Sequence, residues 1–230
     1  MKIFFCFVWL GITLQSTSAQ PVFHVLHTFA GGTSGTTPTA APVEVAPGEF
    51  IGAAYSMYRL SAPGDFTVLS TQPFTGALFP ASNGDLYGFV TLLEEPQVGI
   101  CRSDREGTTQ VINNFFSAVT PQFEEGRNLS LYGIGQSDPN GPTQNVFFQM
   151  SLTGTVISYQ AGNVANGPLG PHGGPVQGSD GNFYGAIVED EEYEAQIYSA
   201  PPPDGPFTTI YTISGFFGPD GAGPSGFSSR

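Results

Sequence analysis

Carboxylates, histidines and tyrosines are the side chains in this sequence that could do chemistry, and their spacing says what kind. The densest group is the acidic run from Glu189 to Glu194, broken only by Tyr193. On a loop such a run can offer oxygen ligands to a hard cation, but a calcium loop interleaves its carboxylates with glycine and amide ligands, and this run does not. A solvated loop tip whose charge discourages edge-to-edge strand pairing is the simpler reading. Asp180-Gly181-Asn182 and Pro219-Asp220-Gly221 hold partial calcium-ligand patterns and read better as tight turns. His24 and His27 stand three apart on an expected strand, which points them to opposite faces, and with His172 and Cys101 they make no zinc pattern. Neither a metal nor another cofactor is expected. Hydrolysis of a glycosidic bond needs two flanking carboxylates. Glu44 and Glu124, each on an expected first strand of a repeat, are the best-placed pair. No Gly-x-Ser-x-Gly motif supports serine hydrolysis and no glycine loop leads into a helix to cradle phosphate, so no catalytic residue is assigned.

What must position these residues is a repeat. Gly178-Ser179-Asp180-Gly181-Asn182-Phe183-Tyr184-Gly185 opens a hairpin: glycine accepts positive φ, aspartate bonds its own backbone, and two aromatics start a strand. The same slot holds Asn83-Gly84-Asp85-Leu86-Tyr87-Gly88, then Asn128-Leu129-Ser130-Leu131-Tyr132-Gly133, and a worn Gly48-Glu49-Phe50-Ile51-Gly52. The closing glycines, Gly52, Gly88, Gly133 and Gly185, recur at the spacing of blade-like repeat units. Tyr87, Tyr132 and Tyr184 could stack on sugars, but a residue recurring at one slot of every unit is better read as what holds neighbouring units together.

Each motif is followed by two more strands joined by a Gly, Pro or Asp turn: Pro63-Gly64-Asp65, Arg105-Glu106-Gly107, Thr153-Gly154 and Pro203-Asp204-Gly205-Pro206. Each is preceded by a short stretch with a proline near its start, read as a first strand. The spacing predicts an all-β chain, a β-propeller-like array of about four four-stranded antiparallel blades over residues 38–72, 76–116, 120–160 and 173–214. Phe23 to Phe29 is expected to be a last-type strand and Gly223 to Phe227 a first-type one, which leaves a fifth blade without its middle strands.

Met1-Lys2, an apolar run from Ile3 to Leu14 and small residues ending at Ala19 form a secretory leader over residues 1–19, followed by the repeat domain over 20–230. The run is too short to span a bilayer, so no membrane insertion is expected once the leader is removed. Cys6 leaves with it, and Cys101 alone cannot form an internal disulfide. With 31 Gly, 20 Pro and 20 Phe in 230 residues, short strands and tight turns suit the chain and long helices do not. The formal net charge is −13, and outside the leader every cation is an arginine, which argues against nucleic acid or an anionic membrane as partner.

Asp180-Gly181-Asn182-Phe183-Tyr184-Gly185, with Pro175-Val176-Gln177-Gly178 upstream and Thr208-Thr209-Ile210-Tyr211-Thr212-Ile213 downstream, resembles the GloVer (Gloeo-Verruco) tandem repeats of exported bacterial proteins. The resemblance implies secretion and carries no catalytic residue over. In that family the aromatic-Gly strand is followed by a small-residue loop, where this chain has Val188 to Glu194 in the last unit and Leu93-Glu94-Glu95-Pro96 in the second. The expectation is a secreted, non-enzymatic module that recognises a cell-surface protein or glycan, with a carbohydrate-active propeller enzyme or a fragment of a longer repeat protein as alternatives.

Overall fold

The computed structural model describes residues 24–32, 38, 40–92, 98–114, 116–119, 123–137, 144–161, 174–188, 195–202 and 208–213. The expected leader, the acidic run 189–194, the loop 93–96, His172, Pro219 to Gly221 and the strand at 223–227 lie outside these residues. The described chain is all-β, with no helix and three antiparallel sheets.

The first sheet is a six-stranded meander of β1 (Val43–Ala46), β2 (Glu49–Ser61), β3 (Phe66–Pro80), β4 (Leu86–Thr91), β5 (Val98–Ser103) and β6 (Thr109–Asn113). In the second, β11 (Val156–Ala161), β10 (Gln144–Ser151) and β9 (Ser130–Ser137) lie side by side. β7 (Phe116–Val119) and β8 (Glu124–Glu125) both pair with β9. The third orders β12 (Val176–Gln177), β13 (Phe183–Val188), β14 (Ala195–Ala200) and β15 (Thr208–Ile213).

The last sheet has the expected four strands in simple succession, and the second pairs them in the same succession as β8, β9, β10 and β11, with β7 added on β9. The expected units 38–72 and 76–116 share one sheet because β3 runs through the expected break between them. β2 folds back on itself at Tyr55, whose φ is 72°, so that the Ala62 N–H donates to the Gly48 carbonyl at 2.7 Å and Gly52 packs against the Tyr58 ring, as the expected aromatic-Gly strand and its partner require. β3 pairs with β2 from Phe66 to Phe74 and with β4 from Phe74 to Pro80, absorbing Gly76 as an irregularity at φ 82°. The residues after Asn113 do not extend β6: Phe116 already belongs to the second sheet, as β7. The last-type strand expected at Phe23 to Phe29 is another correction, since residues 24–29 join no sheet. His27 and Phe29 pack by their rings instead, His27 stacked on Phe66 at 3.7 Å and Phe29 edge-on to Tyr58 at 5.2 Å.

Apolar side chains fill three successive layers. Ile51, Met57, Phe74, Leu86 and Cys101 form one within the first sheet. Tyr87, Phe89 and Ile100 of the first sheet meet Leu131, Val146, Phe148 and Met150 of the second through Phe123, which stacks on Phe89 at 4.6 Å. Tyr132, Ile134 and Phe147 of the second meet Phe183, Tyr198 and Ala200 of the third. Burial pushes the Cys101 thiol up to about 12, so this side chain behaves as a small apolar group rather than a nucleophile.

Two five-residue turns with one hydrogen-bond pattern recur. In the turns Ala81–Asp85, Gly126–Ser130 and Gly178–Asn182 the first N–H donates to the fifth carbonyl and the fourth N–H to the first. Ser61–Asp65, Asp104–Thr108 and Ser151–Thr155 repeat the pattern between the outer strands. The fourth position has positive φ in all six, and five of them hold glycine. The exception is Leu129 at φ 59°, 61% exposed. Left-handed backbone costs a residue with a Cβ roughly 1–2 kcal/mol. Leu129→Gly is therefore expected to stabilise the chain by about 0.5–1 kcal/mol, since glycine's extra unfolded-state entropy offsets part of the gain. Chemical denaturation would show it, and a lower midpoint for the variant would contradict it.

Candidate functional site

The residues around the aromatic-Gly motif are joined by a contact that recurs with the turns. Asn83 donates from Nδ2 to the Tyr87 hydroxyl at 3.0 Å, and Asn128 to that of Tyr132 at 2.9 Å. In the last unit the polarity reverses, and the Tyr184 hydroxyl donates to Asp180 Oδ2 at 2.7 Å. The same Asx side chains cap their turns through Oδ1, accepting from the N–H of Asp85, Ser130 and Asn182. The bond from Tyr184 holds Asp180 below the ordinary carboxylate range, and Asp180 in turn raises the Tyr184 hydroxyl.

Tyr87 and Tyr132 are buried, whereas Tyr184 is half-buried. Burial raises the Tyr87 hydroxyl above its ordinary value, and this hydroxyl also donates to the carbonyl of Leu152, in the turn after β10, at 2.8 Å. Phe183 is fully buried and stacks on Tyr132 at 4.0 Å, across the second and third sheets. The motif glycines make room for rings. A Cβ on Gly133 would fall 2.5 Å from Phe148, one on Gly185 2.1 Å from the Tyr198 hydroxyl, one on Gly52 2.4 Å from that of Tyr58, and one on Gly88 2.8 Å from Leu78. Gly181 instead serves its turn, at φ 91° with open space around it. The ten motif residues thus divide among turns, ring contacts and sheet-to-sheet contacts rather than converging on one cleft.

The carboxylate pair taken from the sequence divides in the same way. Glu44 is exposed and accepts the Gly48 N–H at 2.9 Å, closing its own turn. Glu124, half-buried on β8, accepts the backbone N–H of Gln177, and burial raises its carboxyl with a smaller push from Glu125. Its neighbour Glu125 accepts from both the N–H and the hydroxyl of Ser82, at 2.7 and 2.6 Å. Arg127 reaches the third sheet, its N–H donating to Gln177 Oε1 and its guanidinium to the carbonyls of Gly178 and Ser179.

A raised carboxyl means that ionising Glu124 opposes folding. Its contribution is most favourable below the ordinary glutamate range and is lost as pH rises through the raised value. Glu124→Gln keeps an acceptor for Gln177 and removes the charge. The variant is expected to melt above the parent at pH 7 and level with it near pH 4; equal melting at both pH values would contradict this account of Glu124.

A polar cleft of about 180 Å³ opens elsewhere, lined by Asp85, Arg102, Asp104, Thr108 and Gln110. The second motif's turn supplies Asp85, and β5, the outer turn and β6 supply the rest. Arg102 Nε donates to Asp85 Oδ2 at 2.5 Å, with the arginine side chain 44% exposed. The slight burial of Asp104 pushes its carboxyl up, but hydrogen bonds from Thr108, Glu106 and Gly107 outweigh this and hold it below the ordinary range. A guanidinium, two carboxylates, a hydroxyl and an amide side by side can hydrogen-bond a hydroxyl-rich ligand from several directions. Sequence reading missed the cleft, because its members come from four elements. A signal for the Asx-tyrosine contact was present: the four-residue spacing of Asn83 and Tyr87, Asn128 and Tyr132, and Asp180 and Tyr184.

No protein-family pattern matches this chain, and no curated protein matches it in sequence. Among solved structures, a prolyl endopeptidase superposes with a TM-score of 0.50 at 12% identity, over 76% of this chain and 29% of that one. A luciferin-regenerating enzyme superposes with a TM-score of 0.49 at 10% identity, over 75% of this chain and 61% of its own. The chain therefore spans less than two thirds of either. At such identity the likeness to the prolyl endopeptidase speaks to fold alone.

Proposed function

We propose that this chain is a secreted, non-enzymatic binding module, a β-propeller-like array of about four blades related to the GloVer repeats, that recognises a hydroxyl-rich ligand such as a cell-surface glycan. The observation that carries the reading is the polar cleft at Asp85, Arg102, Asp104, Thr108 and Gln110. Carboxylates away from the cleft are occupied structurally: Glu44 and Asp180 close their own turns, and Glu125 bonds Ser82 between the first two sheets. Screening the full chain on a glycan array, with Arg102→Ala and Gln110→Ala beside it, tests the proposal. Binding to a defined glycan class that both variants weaken at least tenfold is expected; a bound glycan insensitive to both, or no glycan bound, overturns it.

The raised carboxyl of Glu124 favours one alternative, a carbohydrate-active enzyme in which it serves as general acid with Glu44 as its partner. Hydrolysis of a chromogenic glycoside that falls by at least a hundredfold in Glu124→Gln would establish that reading in place of the first.

A further inference from the structure

We propose that residues 24–29 are an acceptor strand, held ready for a β-hairpin of this same repeat type donated by another polypeptide. The register of the outer turns carries the argument. A Cβ on Gly107 would lie 2.5 Å from the carbonyl oxygen of Leu69, and one on Gly154 2.4 Å from that of Ile112, so each turn glycine seats against the outer strand of the unit before it. Gly64 seats in the same way on the carbonyl oxygen of Leu26, where a Cβ would lie 3.1 Å away. Leu26 precedes Gly64 by the same number of residues as Leu69 precedes Gly107. Leu26 thus occupies the outer-strand position of a unit preceding the first.

The equivalent strands are paired along their inner edge. β3 pairs with β2 through Tyr58↔Val68, and β6 with β5 through Cys101↔Val111. Residues 24–29 join no sheet, and Val25 and Leu26 are 68% and 42% exposed. The segment is nonetheless held in place by the rings of His27 and Phe29 against Phe66 and Tyr58. An anchored segment carrying Val25, Leu26 and Phe29, with an edge that no described residue pairs, is the geometry that takes an added strand. The internal repeat identifies the strand that fits it. Outer strands here pair with third strands such as β5, and β5 pairs in turn with the aromatic-Gly strand β4. The occupant is therefore a hairpin of that kind. A second copy is the poorer fit, because among the described residues β5, β10 and β14 are already paired on both sides.

The probe is a synthetic peptide of residues 86–103 carrying Cys101→Ser, added to the full chain, with a shuffled peptide of the same composition as control. Hydrogen exchange is followed at the amides of residues 24–29. Fast exchange in the chain alone, slowed at least tenfold by the repeat peptide and not by the shuffled one, is expected. Val25→Pro removes a backbone N–H from the segment and fixes its backbone, and is expected to weaken the peptide's binding at least tenfold. No protection by the peptide, equal protection by the shuffled one, or binding indifferent to Val25→Pro overturns the proposal. So does protection that grows with chain concentration in the absence of peptide, which would make a second copy the occupant.

Discussion

Replacing Gly154 by alanine should destabilise the chain by about 2–5 kcal/mol, more than the same change at Gly181. Both glycines stand at the fourth position of the same five-residue turn, at φ 92° and 91°. Left-handed backbone therefore costs alanine roughly 1–2 kcal/mol at either site. The difference lies in the surroundings. A Cβ at Gly181 meets nothing within 4 Å, whereas at Gly154 it would sit 2.4 Å from the Ile112 carbonyl oxygen and 2.7 Å from the Ile112 Cβ. Those atoms belong to the neighbouring sheet, so relief requires the sheets to move apart, and overpacking of this kind adds about 1–3 kcal/mol. The Asn113 side chain, which donates to the Gly154 carbonyl at 3.1 Å, would shift with them. At about 2–4 °C per kcal/mol for a chain of this size, Gly154→Ala should melt roughly 10 °C below the parent. Equal losses at Gly154 and Gly181 would mean that only the turn, and not the seat on the next sheet, requires glycine.

Truncating Tyr132 to alanine should cost a similar amount, about 3–5 kcal/mol, at the other sheet junction. The ring is 1% exposed, stacks on Phe183 at 4.0 Å and on Phe147 at 5.7 Å, and belongs to the cluster joining the second and third sheets. Tyr132→Phe separates packing from hydrogen bonding. It keeps the stack and removes the hydroxyl that accepts from Asn128, for a loss of about 1 kcal/mol. Denaturant unfolding of the pair checks both numbers. If Tyr132→Phe lost as much as Tyr132→Ala, the hydroxyl rather than the aromatic stack would hold the junction.

Much of this architecture could be read before any coordinates. The outer turns at Pro63-Gly64-Asp65, Arg105-Glu106-Gly107 and Thr153-Gly154 are where the sequence places them, because glycine at positive φ is a local requirement written in one residue. Continuity was harder to read. Pro73 and Gly76 look like punctuation between two units, yet β3 runs past both, since its pairing passes from β2 to β4 at Phe74 and tolerates an irregularity there. Residues 24–29 have a strand's composition and no sheet, because a strand is defined by its partner as much as by its own residues.

The candidate site was less legible than the fold. Glu44 and Glu124 were singled out for their residue type and expected strands, but each carboxylate answers to a backbone N–H nearby. Asp85 and Arg102 escaped notice although they are 17 residues apart, because they meet only once β4 and β5 have paired in register.

Scanning calorimetry of the full chain tests most directly the claim that the three sheets are joined into one cooperative body by their turn seats, aromatic layers and Asx-tyrosine contacts. Neighbour contacts of this strength should couple the sheets into a single transition with equal calorimetric and van't Hoff enthalpies, which Gly154→Ala broadens or splits. A parent chain that already melts in separate steps, unchanged in shape by Gly154→Ala, would contradict it.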